Sequence, residues 1–251
     1  EPQIAVADYT RGLAVTSTDL TDQELVLTVD QAKSFSFKID DLEKRFSHVN
    51  FQAIAADNAA YALRDAMDSN ILAAISAGGT VTTGMGTTGA PIDIGFASGE
   101  VDPLNQMALA AKELDEANAP EDGRWFVAAP EWYNALSNSS SKLLSVDFNA
   151  GQGSIRNGLV ASGLLRGFQM YKSNNLPTND LSGTGSSAGG SATAPEALFG
   201  HMSSTAAASA MNKVETVRDT GTFSDIVRGL MVWGRKVLRP EVAGKIIYKI
   251  D

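Results

Sequence analysis

The sequence predicts a chain of both helices and strands, and three stretches carry that prediction. From Phe51 to Ala77 it reads FQAIAADNAAYALRDAMDSNILAAISA, rich in Ala, Leu, Met and Arg and free of Gly and Pro. That is the composition of a long helix. From Leu25 to Ile39 apolar and polar residues alternate, the period of a half-buried strand. From Ala197 onward the runs LFGHM, ASAMNKVETV, DIVRGLMVWGRKVL and KIIYKI are separated by short turns, which predicts a β-rich end to the chain.

The long helix organises the rest. Ala56, Ala60, Leu63, Met67, Ile71 and Ala74 recur at the helical period and form one apolar face. Asp57, Tyr61, Arg64 and Asp68 share another, where Arg64 and Asp68 are placed for a surface ion pair worth ~0.3–0.5 kcal/mol. Gly78-Gly79 stops the helix. At 1.5 Å per residue the rod spans roughly 40 Å. Its Ala-rich face implies a close-packed neighbour.

The other elements follow in order. Residues 1–24 lack a helical period. Leu25, Leu27 and Val29, then Phe35, Phe37 and Ile39, make two strands, or one broken at Asp30-Gln31-Ala32. DDLEKRF is a short charged turn or helix before the rod. Residues 78–99 form a Gly/Thr loop without the G-K-[ST] ending of a phosphate-binding loop; a flexible or β-rich connector is the reading. Asp102 suits an N-cap and Pro103 the first helical position, with Leu104, Met107, Ala108, Ala111 and Leu114 as the apolar stripe and Asn118-Ala119-Pro120 as the stop. RWFVAA (Arg124 to Ala129) is a buried strand, and Pro130 opens a short helix. Residues 137–158 are polar and loop-like, GFQMY is a strand, and SNNLP closes it. Residues 182–195 are low-complexity Gly/Ser/Ala, a surface loop. RDTGTFSD (Arg218 to Asp225) reads as a hairpin tip.

Composition narrows the function. The 251 residues carry a net charge of −9, which argues against sequence-independent DNA binding, since that needs a basic surface. There is no cysteine, hence no disulfide, thiol nucleophile or thiolate-bound metal. No apolar run approaches the ~18 residues of a membrane span. The only histidines are His48 and His201, and no G-x-S-x-G, HExxH or D-x-D-x-D-G motif occurs. No catalytic residue and no cofactor is assigned. Asp40, Asp41 and Glu43 are acidic enough to attract a cation, against the plainer reading of a solvated charge run. Trp125, Trp132 and Trp233 sit in or beside apolar strands and read as core. Arg228, Arg235, Lys236 and Arg239 are either the solvent face of a strand or an ion-pairing patch for another subunit.

Four segments, in order, resemble the major capsid proteins of tailed bacteriophages, the Hong Kong 97-like shell fold. They are LTVDQAKSFSFKIDDLE (Leu25 to Glu43) running into the long helix, RWFVAAPEWYNAL (Arg124 to Leu136), GLLRGFQMYKSNNLP (Gly163 to Pro177) and VETVRDTGTFSDIVRGLMVWGRKVLRPE (Val214 to Glu241). Their shared order across nearly the whole chain carries the resemblance. It implies an α+β subunit: residues 1–40 an extended loop, 41–100 a peripheral domain with the spine helix, 101–211 an axial domain with a central β-sheet, 212–232 a peripheral hairpin, and 233–251 a return to the axial domain. Family members have an N-terminal arm and an ascending strand before that loop, so further residues upstream of Glu1 are expected.

The resemblance also implies a function. Copies would self-assemble into pentamers and hexamers of an icosahedral shell around double-stranded DNA held by enclosure. Portal, scaffolding and decoration proteins would be the other partners, with no membrane. Assembly would take place in the host bacterial cytoplasm, and the virion capsid would be the destination. Three interface expectations follow. Residues 1–40, with Phe35 and Phe37, lie across a neighbouring subunit. The hairpin tip, with Arg218, Asp219 and Asp225, meets symmetry mates. The basic face of Arg228, Arg235 and Arg239 pairs with Asp40, Asp41 and Glu43 of a neighbour. The alternatives are an encapsulin-type nanocompartment shell, an enzyme with a Ser or carboxylate site, and a phage fibre or decoration protein.

Overall fold

A computed structural model describes residues 8, 11–12, 24–46, 51–80, 84–138, 165–180 and 193–250. Most of the polar loop expected at 137–158 and of the low-complexity stretch at 182–195 lies outside them, as does His48; residues 193–195, expected in a surface loop, instead begin a strand, with Ala194 buried. Two sheets and one long helix make the architecture. Strand β1 (Gln31–Asp40), β7 (Thr205–Arg218) and β8 (Ser224–Val237) form a three-stranded antiparallel sheet in the order β1-β8-β7. The second sheet runs β2-β9-β6-β3-β4, with β5 paired to β6. Its strands are β2 (Ile92–Asp93), β3 (Arg124–Ala128), β4 (Gln169–Lys172), β5 (Thr178–Asp180), β6 (Thr193–His201) and β9 (Ala243–Lys249).

The predicted hairpin is the longest β feature. Its strands have 14 residues each, roughly 45 Å of extended chain. Residues pair from Thr205↔Val237 to Arg218↔Asp225, with one irregularity between Ser209 and Met211. β1 begins at Gln31, inside the expected break, and pairs with β8 from Gln31↔Trp233 to Asp40↔Ser224, whereas residues 25–29, expected as strand, are not paired into a sheet and leave Leu25 and Val26 exposed. Residues 31–40, part of the segment expected to lie across a neighbour, pair within the chain. They are the edge of the chain's own sheet. Phe35 explains the fit: its ring lies over Gly229 on β8, where a Cβ would come within 2.3 Å of it. Phe35 and Phe37 stack at 6.0 Å between centroids and are half-buried in the chain itself. Placing Asp at both positions is thus expected to unravel the three-stranded sheet in the isolated subunit. Circular dichroism unchanged from the unmutated protein would contradict this.

Helix α1 (Asp41–Phe46) is capped by Asp40, whose Oδ1 accepts from the Leu42 N–H at 2.8 Å. Helix α2 (Phe51–Gly78) has 28 residues, about 42 Å. It is not enclosed: Tyr61 is 72% exposed, while Leu63, Leu72 and Ile75 are buried. Its middle lies on the three-stranded sheet. Asn70 accepts from Trp233 Nε1 through its side-chain oxygen (3.3 Å) and from Arg235 Nε through its backbone oxygen (3.1 Å), and donates to Gln31 Oε1 (3.4 Å). Its end lies on the larger sheet, where Leu72 and Ile75 pack with Leu176, Leu198 and Ala243. The helix therefore bridges both sheets. Among the described residues no ion pair joins Arg64 to Asp68. Instead Asn175 donates to Asp65 at 2.6 Å and reaches Asp68 at 3.5 Å.

The main core lies between the larger sheet and helices α3 (Pro103–Glu116) and α4 (Pro130–Leu136). Asp102 caps α3 as expected, accepting from Leu104 N at 2.8 Å, and Asn118 turns left-handed (φ 54°) just beyond its end. Ala110 rather than Ala108 or Ala111 completes the buried stripe. Phe126, Trp132, Phe168, Phe199 and Tyr248 interlock, with Trp132 and Tyr248 edge-to-face at 4.8 Å. Trp132 and Trp233 are fully buried, and Trp125 is partly so, against the second cluster. Among its described residues the Gly/Thr segment contributes the two-residue β2 and buries Met85, whose carbonyl accepts from the Ile247 N–H at 2.9 Å.

Candidate assembly surface

Most of the charged residues expected at contacts lie together at one end of the three-stranded sheet, and they are paired within the chain. The Asp41 N–H donates to the Phe223 carbonyl at 3.0 Å, which fastens the start of α1 to the β7–β8 turn. Around that bond Arg218 makes a two-pronged contact with Asp41, one N–H at 2.8 Å, and also reaches Asp225 Oδ1 at 3.1 Å. Lys44 pairs with Asp225 at 3.2 Å and Lys38 with Asp219. Asp219 further accepts from Thr222 Oγ1 (2.7 Å) and from the Gly221 N–H (3.1 Å), which closes the turn. Glu43 stays exposed on α1.

The electrostatics follow from these contacts. The Arg218 guanidinium holds the Asp41 carboxyl below its ordinary range, and Arg218 followed by Lys44 does the same to Asp225. Lys38 is the largest cause of the depression at Asp219. A carboxylate depressed in the folded state adds stability above its unfolded value of ~3.9, and that contribution is lost as pH falls through the folded value. The turn is thus expected to hold unchanged from neutrality down to about pH 4 and to loosen only below it. Carbon-detected NMR of the three carboxyl groups checks this. A midpoint at or above the ordinary value for Asp219 would contradict it.

The residues of the basic face have partners within the chain. Arg228 pairs across the hairpin with Glu215. Arg235 donates to the Asn70 carbonyl and lies 3.8 Å from Asp30. Arg239 pairs with Glu241 at 2.9 Å. None of them meets Asp40, Asp41 or Glu43 in the same chain, and each has a nearer acceptor. Lys236 donates to the Val26 carbonyl at 2.7 Å and tethers the segment before β1. His201 is a turn brace. Nε2 lies 2.8 Å from the Asp122 carbonyl, which only an N–H can serve, so Nδ1 accepts from the Ser203 N–H at 3.1 Å. Sequence reasoning missed the apolar residues beside the charged ones, namely Leu42, Phe46 and Phe223, all strongly exposed. It also missed a cluster at the end of α2 in which the buried Ser76 and Glu196 meet the half-buried Asn179 and Lys245.

A long helix on an open sheet, joined to a separate aromatic-cored sheet, is the arrangement the phage shell resemblance implies. The family model for phage capsid protein matches residues 23–246. The chain belongs to this family. A solved structure from Mycobacterium phage Che8 superposes on it with a TM-score of 0.74 at 30% identity, covering 93% of this chain and 76% of that one. The capsid of the cyanophage P-SCSP1u matches with a TM-score of 0.72 at 21% identity, covering 100% of this chain and 81% of that one. The capsid of an empty GTA particle matches at 0.64 and 10%, covering 97% and 81%. The last two show the fold alone. No curated protein sequence matches the chain. This phage capsid protein is thus an α+β coat protein, a structural component of the virion shell built by self-association. The nanocompartment alternative is not favoured.

Proposed function

We propose that this capsid protein closes into pentamers and hexamers, and these into an icosahedral shell that encloses double-stranded DNA without specific contacts. The observation that carries the reading is α2: one helix, exposed along one side, braces a three-stranded sheet with its middle and a six-stranded sheet with its end. That geometry suits a flat subunit whose sheets serve different contacts. On this reading the three-stranded sheet and α2 form the peripheral domain, and the larger sheet with α3 and α4 forms the axial domain. Strands β7 and β8 run unbroken through the boundaries expected at 211/212 and 232/233. Residues upstream of β1 remain the extended loop that reaches a neighbour.

The role is structural, without catalysis or cofactor. A portal, scaffolding or decoration proteins are the other partners, and assembly takes place in the host bacterial cytoplasm. The net charge of −9 suits a wall to which DNA does not adhere. Electron microscopy of the purified protein is the test. Closed shells with nuclease-protected DNA are expected from infected cells. Monomers or dimers alone would reject the reading, and closed shells holding protein cargo instead of DNA would turn it toward a nanocompartment.

A further inference from the structure

We infer that residues 24–30 form a strap across the face of the three-stranded sheet opposite α2, and that its crossing at Gly234 sets the direction of the chain upstream. This rests on the reading above, in which that upstream chain reaches a neighbour. Successive side chains of a strand point to opposite faces. Trp233 on β8 points to α2, where its Nε1–H meets Asn70, so Gly234 and Lys236 face the other way. A Cβ at Gly234 would fall 2.4 Å from the Thr28 carbonyl oxygen and 2.9 Å from Leu27 Cδ2. The nearer obstacle is backbone, which cannot swing aside as the tip of a side chain can. Glycine inside a strand marks such a close approach. Gln31 then pairs with Trp233, one residue from the crossing, so the chain turns a corner at Val29-Asp30.

Two further contacts hold the strap. Before the crossing, Lys236 Nζ donates to the Val26 carbonyl at 2.7 Å. After it, Arg235 Nη1 lies 3.8 Å from Asp30 Oδ1. Arg235 shares the face of Trp233 and also donates through Nε to the Asn70 carbonyl at 3.1 Å. One guanidinium thus links the middle of α2 to the corner of the strap. Consecutive residues of β8 therefore hold residues 26, 28 and 30. The strap depends on them because it has no ladder of its own: residues 25–29 pair into no sheet, and Leu25 and Val26 stay exposed. A segment held at three points leaves the sheet in one direction. A segment free to swing would have to be ordered at each contact with a neighbour, and that ordering weakens association. The strap does the ordering beforehand, and Arg235 ties its direction to the position of α2.

Spin labels read that direction. The chain has no cysteine, so Leu25→Cys on the strap and Tyr61→Cys on α2, both exposed, take one label each. In isolated subunits the distance distribution between the labels, measured by pulsed electron resonance, is expected to be narrow. Gly234→Val is expected to broaden it. So is the tether variant Lys236→Met with Asp30→Asn, which removes two contacts and leaves the core untouched. A broad distribution in the labelled parent, or a narrow one in either folded variant, would overturn the proposal. If Gly234→Val does not fold, the tether variant decides. The tether variant without labels is expected to match the unmutated chain in urea unfolding and to give about tenfold fewer closed shells, because only subunits with the upstream chain correctly aimed can join. A shell yield equal to that of the unmutated chain would also overturn it. If the unmutated chain forms no shells the shell reading fails, and the label distances still decide whether the strap is fixed.

Discussion

Lys245→Ala is expected to destabilise the subunit by about 3 kcal/mol, the lower end of the range for removing one partner of a buried ion pair. The site is where the end of α2 meets the larger sheet. Glu196 on β6 is 2% exposed. One of its oxygens accepts from Ser76 Oγ on α2, and the other accepts from Asn179 Nδ2 at 2.9 Å and from Lys245 Nζ at 3.3 Å. Lys245 Nζ also donates to Ser76 Oγ at 3.3 Å. Without the ammonium the carboxylate keeps two neutral donors but no counter-charge, which is why the lower end applies. Glu196→Gln is expected to be milder, because the Lys245 side chain retains some access to water (18% exposed) and can turn outward. Lys245→Met preserves the apolar stem and separates lost packing from lost charge. Urea unfolding of dissociated subunits makes the measurement. If Lys245→Ala and Lys245→Met both lie within about 0.5 kcal/mol of the unmutated chain, the ammonium is not needed there.

Helix α2 shows why some features were legible and others not. Its composition, period and Gly-Gly stop are local properties, and the helix ends at Gly78 as expected. The Asp102-Pro103 start of α3 and the β7–β8 hairpin were equally local. β1 was harder. Asp30-Gln31-Ala32 looks like a break when read alone, and only β8 as a partner makes Gln31 the first paired residue. β2 and β5 have two and three residues, too short to show any period. The charged residues of the assembly surface were recognisable, yet their partners were not. Arg218 finds Asp41 across 177 positions and Lys38 finds Asp219 across 181. Such pairs join residues far apart in the chain, which local patterns do not reveal. The apolar trio had a signal that went unread. A Phe closing a turn made of Asp, Thr and Gly is out of place chemically, and Leu42 with Phe46 is a helical pair within a charged run.

Trp233→Ala is expected to cost about 3–5 kcal/mol, as for a large side chain fully removed from a core. Trp233 is fully buried on the central strand β8, opposite Gln31 of β1 and Ser209 of β7. With Arg235 it joins α2 at Asn70 to the strand that holds both edges, and of the two it is the fully buried one. Trp233→Phe retains most of the packing and loses the Nε1–H bond to Asn70, so about 1 kcal/mol is expected. The location of the damage is the sharper result. Amide exchange around Asn70 and along β8 should accelerate in the Ala variant well before it does in α3, because α3 packs on the other sheet. Shell yield should fall with it, since a helix loose on the three-stranded sheet no longer fixes that sheet against the larger one. Uniform acceleration across α2 and α3 would mean that the two sheets unfold as one unit, and α2 would then be an interior helix of a single core rather than a brace between two.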